Sequence, residues 1–490
     1  MKENAEAIIS IRDVSAPEER RQMMWQMASQ YRVAIAWSTF VGFAAINWGM
    51  DTMLSNGVIA VPAFQRKFGY AFEGQHIVSA RWQIAFNSAG SVGGCLGAIA
   101  SGYSADKIGP RFTLGIGCLN SIGALVNGLS LGIFLAIPST YAAEICPAGL
   151  RGLTTSAVQL FVGIGHLNAS LILRATGTMA SPWAYKLPFA LQFLFPVLLL
   201  LGLPFGPESP WYLLRTRHPN TASSTLASLG CPAPAETLAE MQRTIAQEQR
   251  RDAATCYPDC FRGADRRRTE VALGIFGVCH LVGAVFLIGY SNYFFQLAGF
   301  SAADSFSLSV GVSLLGLVAV TCSWLLLDRL GRRSTALAGT GSLALLLLLL
   351  GILDVLPARG AGRLGPVYGQ VACVALAVFV YLATVGPAGY ALSAEVASPR
   401  LRSRTVGLAV VVQNLLTLLM NIVVPLLINP DAAALGGKIG FIFAATATLS
   451  VAWLWLRVPE TAYRTFAELD YLFVEAVPAR AFKGVTVIPP

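Results

Sequence analysis

The chain contains 490 residues, of which 55% are hydrophobic and only 12% are charged, and its formal net charge is +9. Ordinary soluble domains carry roughly 25% charged residues, so this composition excludes a soluble protein built from two or three polar-surfaced domains. The nine cysteines lack the spacing of a zinc site or a disulfide framework, which leaves them as thiols packed among apolar groups.

After a polar segment, residues 1–32, the apolar residues come in long blocks such as Ser307 to Leu327. Each block is long enough to cross about 30 Å of hydrocarbon as a helix, and the lack of alternating polarity excludes a β-barrel. The blocks predict spanning helices near residues 33–55, 82–103, 153–174, 185–205, 270–294, 305–327, 334–353, 368–392, 405–428 and 437–457, with the spans of 112–143 unresolved.

The positions of lysine and arginine predict that both termini lie in the cytoplasm. In this orientation eight of the 35 basic residues lie outside and the other 27 lie in cytoplasmic segments. Nine arginines from Arg215 to Arg268 fall in the central loop, so the positive charge indicates membrane topology and not nucleic-acid binding. The eight outer residues are Arg66, Lys67, Arg81, Arg174, Lys186, Arg359, Arg363 and Lys438.

Three motifs occur twice. GYSADKIGPRF (102–112) is echoed by LLDRLGRRST (326–335), YAAEICPAGLRG (141–152) by ALSAEVASPRLRS (391–403), and PESPWYLL (207–214) by PETAYRTF (459–466). Such a repeat predicts two parallel halves of six spans. We therefore expect a cytoplasmic segment, a first helix bundle, a central loop with short helices, a second bundle and a cytoplasmic tail, at 1–32, 33–206, 207–269, 270–457 and 458–490.

These paired motifs resemble those of the sugar porters of the major facilitator superfamily, over nearly all of the chain from Ala34 onward. Finer features, such as PAFQRKFGY, GYSNYFFQLAGF and VGPAGY, are similar to fungal α-glucoside (maltose-type) permeases. The resemblance implies an all-α polytopic protein with the major facilitator fold. It also implies a monomer of the plasma membrane, embedded in the lipid bilayer, that moves an α-glucoside, a disaccharide or a hexose by alternating access. Protons would be a further partner, and no cofactor is expected.

Charged residues recur at the cytoplasmic helix ends of both halves: Glu144 and Arg151 are seven residues apart, as are Glu395 and Arg402. We expect them to belong to an ion-pair gate that ties the halves together and breaks when the cytoplasmic side opens. Ordinary solvated loop charge, contributing under about 1 kcal/mol per pair, is the alternative. Pro110 replaces one of the family's two arginines, which predicts a weaker first-half side. The expected gate comprises Asp106, Arg111, Glu144, Arg151, Glu208, Asp328, Arg329, Arg332, Arg333, Glu395, Arg402 and Glu460.

The sugar site implied by the resemblance has lost some of its amides. Glucose-type porters carry Gln-Gln-x-x-Gly-x-Asn in the seventh span, and the matching residues here are Cys279, His280, Gly283 and Val285. A hydroxyl-rich ligand needs several donors and acceptors and an apolar ring face. The expected ligands are His166, Ser170, His280, Tyr290, Asn292, Tyr390 and Asn414, and for the two histidines a hydrogen bond to a neighbouring helix is the alternative.

Asp51 matches the acid of the family's Gly-Tyr-Asp in the first span, here GMD, and the resemblance implies that it couples transport to protons. A carboxylate within a span costs about 2.5–3.5 kcal/mol on insertion, so it usually has a function. The alternative is an aspartate at a helix end near the outer surface. Trp48, Gly94 and Val410 stand where α-glucoside permeases carry further intramembrane charges, which argues against coupling.

Two other functions stay open, a sugar sensor and a product that is inactive in transport. Sensors of this family carry long cytoplasmic tails, whereas 33 residues follow Arg457, which argues against a sensor. An enzyme is not expected, because the sequence has no nucleophile elbow, phosphate loop or metal-spaced His/Cys set.

The inactive product is suggested by a length difference between the halves. Asp106 and Glu144 are 38 residues apart, whereas their repeat partners Asp328 and Glu395 are 67 apart, a shortfall of 29. Two crossings need about 60 Å of helix plus a turn, but the 32 residues between Arg111 and Glu144 supply only about 48 Å. We expect a shortened or distorted third–fourth hairpin, or a chain from a mis-spliced or wrongly assembled gene.

Overall fold

The computed structural model describes residues 26–72, 74–119, 124–253, 256–356, 364–398, 401–462, 464 and 466–484. In this described part, ten helices are long and apolar enough to cross a membrane. The chain is therefore an all-α polytopic protein, as the apolar blocks predict, and its described strands form a single two-stranded sheet.

The first half begins with α1 (Arg32–Gly57), which continues into a 3₁₀ turn (Val58–Ala60) and a short helix α2 (Pro62–Phe68). An antiparallel hairpin follows, in which Tyr70 of the first strand lies opposite Ile77 of the second. Its strands are β1 (Tyr70–Phe72) and β2 (Gln75–Ile77). The remaining helices of this half are α3 (Ala80–Ile108), α4 (Pro110–Leu119), α5 (Ala124–Ile145), α6 (Ala148–Thr176), α7 (Trp183–Gln192) and α8 (Leu194–Gly202).

The central loop contains three helices, α9 (Pro210–Arg215), α10 (Pro219–Ser228) and α11 (Pro234–Ala253). The second half and the tail follow, and together they contain ten helices in the described residues. These are α12 (Gly263–Leu281), α13 (Ala284–Gly289), α14 (Ser291–Leu297), α15 (Ala302–Leu330), α16 (Arg332–Val355), α17 (Leu364–Val380), α18 (Gly386–Val396), α19 (Arg402–Ile428), α20 (Ile439–Arg457) and α21 (Phe466–Val474).

Two stretches expected as single spans are interrupted. The stretch near 270–294 is split into α12, α13 and α14, and the first break lies at Gly283, whose φ of 80° is in the left-handed region that favours glycine. The stretch near 368–392 contains a π-helical turn, Tyr381–Val385, between α17 and α18. Such turns occur frequently at functional sites.

Glycines set the close contacts between spans. A Cβ placed at Gly49 of α1 would lie 2.2 Å from the carbonyl oxygen of Val162, and one at Gly165 of α6 would lie 2.2 Å from that of Ile46. Small residues at helix crossings let the backbones approach, which is the main source of packing energy in a membrane. A larger residue at either position would force α1 and α6 apart.

The third–fourth hairpin consists of one short and one longer helix. Helix α4 has 10 residues, about 15 Å of rise, and α5 has 22 residues, about 33 Å. Of these two described helices, only the longer contains a stretch that is long and apolar enough to cross a membrane, Gly128–Ile145. Residues 120–123, which join the helices, lie outside the described residues. That a segment of the third–fourth hairpin is missing from this chain stays a prediction.

The chain divides by its contacts into two compact units. The first consists of Met1–Asp51, Val92–His166 and Ala190–Ala253, and the second consists of Thr52–Ser91, Leu167–Phe189 and Ala254–Pro490. The second unit therefore groups the second half of the sequence with parts of first-half helices. The expected division into two six-span bundles, at 33–206 and 270–457, stays a prediction.

Candidate functional site

Three asparagines and a tyrosine form a buried polar group in the second unit, which we call the amide cluster: Asn56 of α1, Asn87 of α3, Asn292 of α14, and Tyr290 between α13 and α14. The side-chain amide of Asn87 donates hydrogen bonds to Oδ1 of Asn56 at 3.0 Å and to the hydroxyl of Tyr290 at 2.6 Å. Tyr290 is fully buried and Asn87 is 7% exposed. The cluster thus joins two first-half helices to the broken seventh span.

Asn292 has the most unusual environment in the cluster. It is 1% exposed, and neither its amide nitrogen nor its amide oxygen has a hydrogen-bond partner among the described residues. Oδ1 of Asn87 also lacks a partner in this part of the chain. A buried polar atom without a partner costs about 1–3 kcal/mol. The cluster therefore contains buried polar atoms that make no hydrogen bond among the described residues, and each of them lowers the stability of the fold.

Two of the other expected sugar ligands are engaged with neighbouring helices. Ser170 is 1% exposed, and its hydroxyl lies 2.8 Å from that of Ser313 on α15. His280 places Nδ1 2.8 Å from the carbonyl oxygen of Phe276 and Nε2 2.9 Å from the hydroxyl of Thr417 on α19. Both ring nitrogens of His280 are thus used inside the protein, which is the arrangement of a histidine that joins two helices.

The region around the π-helical turn holds Tyr390, whose hydroxyl accepts a hydrogen bond from the amide of Gln413 at 2.7 Å. Its ring packs edge-on against Phe276 with the ring centroids 5.2 Å apart. Cys279, at a position where glucose-type porters carry an amide, lies with its sulfur 3.7 Å from the carbonyl oxygen of Val385. Of the remaining expected ligands, His166 and Asn414 are half-buried.

Asp51 lies inside α1, which ends at Gly57, and it is 5% exposed. Its Oδ1 accepts a hydrogen bond from the side-chain amide of Gln192 at 2.6 Å. The aspartate is therefore buried inside the protein, six residues before the end of α1. Its place relative to the outer membrane surface stays a prediction. A role in proton coupling stays a prediction.

A second polar network in the same unit joins the loop after α19 to the start of α3, and we call it the loop clamp. Asp431 accepts hydrogen bonds from the backbone N–H of Ala80, at 3.2 Å to the nearer oxygen, and from the hydroxyl of Tyr70 at 3.1 Å. Asn429 is fully buried, accepts from the amide of Gln83 at 3.0 Å and also accepts from the hydroxyl of Tyr293. A second-half loop thus caps the first-half helix α3.

The motif residues of the second half form a connected group at the start of α16. Arg332 pairs with Glu395 at 3.0 Å. Glu460 is 8% exposed, and its Oε1 accepts from the backbone N–H of Arg332 at 2.9 Å and from that of Arg333 at 3.3 Å. A carboxylate in this position accepts hydrogen bonds from helix N–H groups that have no partner within the helix. Its negative charge also interacts favourably with the positive end of the helix dipole.

The first half repeats this arrangement in a weaker form at the start of α4. Glu208 accepts from the backbone N–H of Arg111 at 3.4 Å and from that of Ser209 at 3.2 Å. Burial raises the pKa of Glu208 above its usual value, and the hydrogen bonds from Ser209 and Arg111 counteract part of this. Pro110 occupies the position of Arg332, so the guanidinium that Arg332 contributes in the second half has no counterpart at this position.

The repeat also fixes the turn before each capped helix. Gly109 and Gly331 have φ values of 88° and 85°, which only glycine adopts readily. A Cβ at Gly331 would lie 2.7 Å from Oε2 of Glu460, and one at Gly109 would lie 3.0 Å from Oε2 of Glu208. The repeated motifs therefore encode the same turn-and-cap structure twice.

The expected gate is only partly visible. The side chains of Asp106, Arg151 and Arg402 lie outside the described residues, and Asp328 and Arg329 are exposed. A gate that ties the two halves together stays a prediction.

Sequence reasoning missed Asn56, Asn87, Asn429 and Asp431. A signal existed for Asn87, because an asparagine within an apolar span is an expensive residue that usually has a function. No sequence pattern joins Asn87 to Tyr290, or Asp431 to the start of α3, because these partners lie hundreds of residues apart.

A family model for the sugar (and other) transporters matches residues 119–473. The chain belongs to this family. It is 31% identical over 501 residues to the general alpha-glucoside permease of Saccharomyces cerevisiae, across 96% of this chain and 80% of that permease. It is also 31% identical over 502 residues to a maltose permease of the same yeast, with the same coverage. The resemblance to α-glucoside permeases is thereby confirmed.

Among solved structures, the inward-open xylose transporter XylE from E. coli matches this sugar transporter family member with a TM-score of 0.73. The two are 17% identical, and the match covers 90% of this chain and 99% of XylE. A partially occluded inward-open structure of XylE gives a TM-score of 0.70 at 16% identity, over 89% of this chain and 99% of that one. At such identities the likeness concerns the fold, and it confirms the major facilitator architecture.

Proposed function

We propose that this protein is a secondary transporter that moves an α-glucoside, a disaccharide or a hexose across a membrane by alternating access. The observation that carries the proposal is the 31% identity over 96% of the chain to the yeast general alpha-glucoside permease. A multi-pass membrane protein of this family with buried, uncharged hydrogen-bonding groups inside its spans fits an uncharged, hydroxyl-rich substrate.

The broken seventh span supports alternating access. Tyr290 lies at the second break of this span and receives a hydrogen bond from Asn87 of the first half. The loop clamp makes a further connection between the halves, from Asp431 to the start of α3. Opening the protein at the amide cluster and the loop clamp requires both sets of hydrogen bonds to break. His166, Ser170, His280, Asn292, Tyr390 and Asn414 complete the proposed sugar ligands.

Proton coupling through Asp51 is a further part of the proposal. The carboxylate is buried in α1 and accepts a hydrogen bond from the neutral amide of Gln192 at 2.6 Å. A buried carboxylate that can gain and lose a proton as access alternates would couple sugar and proton movement.

We place the protein in the plasma membrane as a monomer, with both termini in the cytoplasm. The support for the orientation is the nine arginines of the central loop, which the positive-inside rule assigns to the cytoplasmic side. Accessibility of an epitope inserted at the central loop, tested in intact and permeabilised cells, would establish or reject this orientation.

The test of function is uptake of labelled maltose, glucose and xylose by a yeast strain that lacks its own sugar transporters and expresses this chain. We expect saturable uptake of at least one of the three sugars, above that of cells carrying the empty vector. Surface expression is measured in the same cells with a fluorescent tag. A chain that reaches the surface but moves none of the sugars would contradict the proposal.

An inactive product is the second candidate, and the length of α4 favours it. A helix of 10 residues rises about 15 Å, half of the roughly 30 Å of hydrocarbon that a span must cross. Restoring a full third span by inserting the corresponding segment of a homologous permease between α4 and α5 should then raise uptake. Equal uptake with and without the insert would exclude this candidate.

A further inference from the structure

The amide cluster contains more hydrogen-bonding groups than it uses. Within it, Asn87 donates to Asn56 at 3.0 Å and to Tyr290 at 2.6 Å. Within the residues that the structure describes, the amide of Asn292 has no partner for either its nitrogen or its oxygen, and Oδ1 of Asn87 has none either. An amide that served only to hold helices together would be expected to use its hydrogen-bonding atoms on those helices.

Glycines bring the backbones close around these amides. A Cβ at Gly57 of α1 would lie 3.8 Å from the amide nitrogen of Asn292, and a Cβ at Gly289 of α13 would lie 2.9 Å from that of Asn56. The end of α1 and the break of the seventh span therefore meet at the cluster. The unused amide atoms lie at a junction of the two halves of the sequence.

A neighbouring pair extends the polar surface along α3 and α19. The amide of Asn421 donates to the hydroxyl of Ser91 at 2.8 Å, and Asn421 is 8% exposed. Ser91 follows Asn87 by one helical turn, so the two side chains lie on the same face of α3. The cluster and this pair contain amides and hydroxyls and no charged side chain.

The amide cluster contains side-chain amides, whereas two positions of the seventh span lack the amides that glucose-type porters carry there. Positions 279 and 285 carry Cys279 and Val285, and Cys279 packs against the backbone of the π-helical turn. Amide groups absent from α12 and α13 are thus present on α1, α3 and α14. Amides suit sugar hydroxyls because one amide can donate to one hydroxyl and accept from another.

We propose that the amide cluster is a sugar-binding subsite, in which Asn292 and Asn87 bind hydroxyl groups of an uncharged sugar. This inference rests on the proposed transport of sugars and assigns two residues, Asn56 and Asn87, beyond the ligands expected from the sequence. When the two halves separate at the cluster, the bonds from Asn87 to Asn56 and Tyr290 break. The freed amides then exchange these partners for sugar hydroxyls.

The test compares Asn292→Leu and Asn87→Leu with the unmutated protein, and Asn168→Leu serves as the control because Asn168 lies on α6 and is not a hydrogen-bonding partner in the cluster. We measure KM for the transported sugar and the thermal stability of each purified protein. Asn292→Leu should raise KM about 3- to 10-fold, the effect of one or two lost hydrogen bonds, with stability unchanged or higher because an unpartnered buried amide is removed. Asn168→Leu should leave KM unchanged.

A series of monodeoxy analogues of the transported sugar identifies the contact. At least one analogue should bind the unmutated protein several-fold more weakly than the parent sugar, and Asn292→Leu should bind the two equally. Lower stability with an unchanged KM in both cluster variants would assign the amides a purely structural role and overturn the subsite.

The subsite and the transport proposal fail in different ways. Uptake by the unmutated chain with unchanged KM in both variants overturns the subsite and leaves transport intact. If the unmutated chain moves no sugar, binding is measured as sugar-dependent thermal stabilisation of the purified protein. Stabilisation that Asn292→Leu weakens supports the subsite without transport, and absence of any stabilisation overturns both.

Discussion

Replacing Glu460 with alanine should destabilise the start of α16. Glu460 is 8% exposed and accepts backbone N–H groups of Arg332 at 2.9 Å, Arg333 at 3.3 Å and Ser334 at 3.4 Å. A hydrogen bond to a charged group contributes about 1.5–3 kcal/mol, and a carboxylate near a helix N-terminus adds about 0.3–1 kcal/mol. Because two of the three bonds are long, we expect a loss of about 2–4 kcal/mol in the free energy of unfolding.

The repeat supplies an internal comparison in Glu208→Ala. In the described residues Glu208 accepts from two backbone N–H groups, at 3.4 Å and 3.2 Å, and its burial disfavours its charged form. We expect a smaller loss, about 1 kcal/mol or less. Glu475→Ala is the control, because Glu475 is exposed in the turn after α21.

The assay is thermal unfolding of each purified variant in detergent, followed by intrinsic fluorescence at one pH and one detergent concentration. We expect the highest melting temperature for the control, a lower one for Glu208→Ala and the lowest for Glu460→Ala. The difference between Glu208→Ala and Glu460→Ala should be several degrees. A melting temperature of Glu460→Ala equal to that of the control, or a larger drop for Glu208→Ala, would refute the assignment of Glu460 as the stronger cap.

Four further predictions address coupling, pH, the loop clamp and the gene. Asp51→Asn should abolish sugar accumulation against a gradient and leave exchange partly intact, and unmutated uptake that ignores pH would remove the coupling hypothesis. Because burial raises the pKa of Glu208 above its usual 4.5, its folded form binds a proton more tightly than the unfolded chain does. Its contribution to stability should therefore fall as pH rises from 4.5 through the raised pKa. Glu208→Gln should remove this part of the dependence of the melting temperature on pH. Asp431→Ala should increase, several-fold, the labelling of a cysteine placed at Ser91 by a membrane-impermeant thiol reagent, in a background without other cysteines, and unchanged labelling would contradict a closing role for the clamp. Transcript sequencing should recover roughly 20–30 extra codons between 112 and 143 if the third span is incomplete, and a transcript that matches the chain would exclude mis-splicing.

Most of the fold could be predicted because membrane spans are encoded locally. An apolar block of about 20 residues has few alternatives to a helix in a bilayer, since its backbone groups must be satisfied internally. The breaks in the stretches near 270–294 and 368–392 could not be predicted in the same way. Gly283 looks like any other glycine in an apolar block until its φ of 80° is known, and the π-helical turn at Tyr381–Val385 leaves no trace in hydropathy.

The candidate site was harder to predict because its contacts join distant parts of the chain. Tyr290 and Asn292 were expected from the resemblance, but the partner of Tyr290, Asn87, comes from α3. His280 was also expected to bind sugar, and the sequence does not indicate that its two ring nitrogens contact Phe276 and Thr417 in this conformation. A polar residue in a span indicates that a partner exists, but only the tertiary structure identifies it.

The two halves show how far a repeat can diverge while it keeps one structural element. Gly109 and Gly331 have φ values of 88° and 85°, and each precedes a helix capped by a glutamate from a distant loop. The cap survives the replacement of arginine by Pro110 in a reduced form. Pro110 has no backbone N–H to match the one that Arg332 donates to Glu460, but the N–H of Arg111 still donates to Glu208 at 3.4 Å. The side-chain pair does not survive, because Arg332 pairs with Glu395 through its guanidinium, which proline lacks. The first half therefore keeps the turn and part of the cap but has no guanidinium at position 110, so the pair that Arg332 makes with Glu395 cannot form from this position.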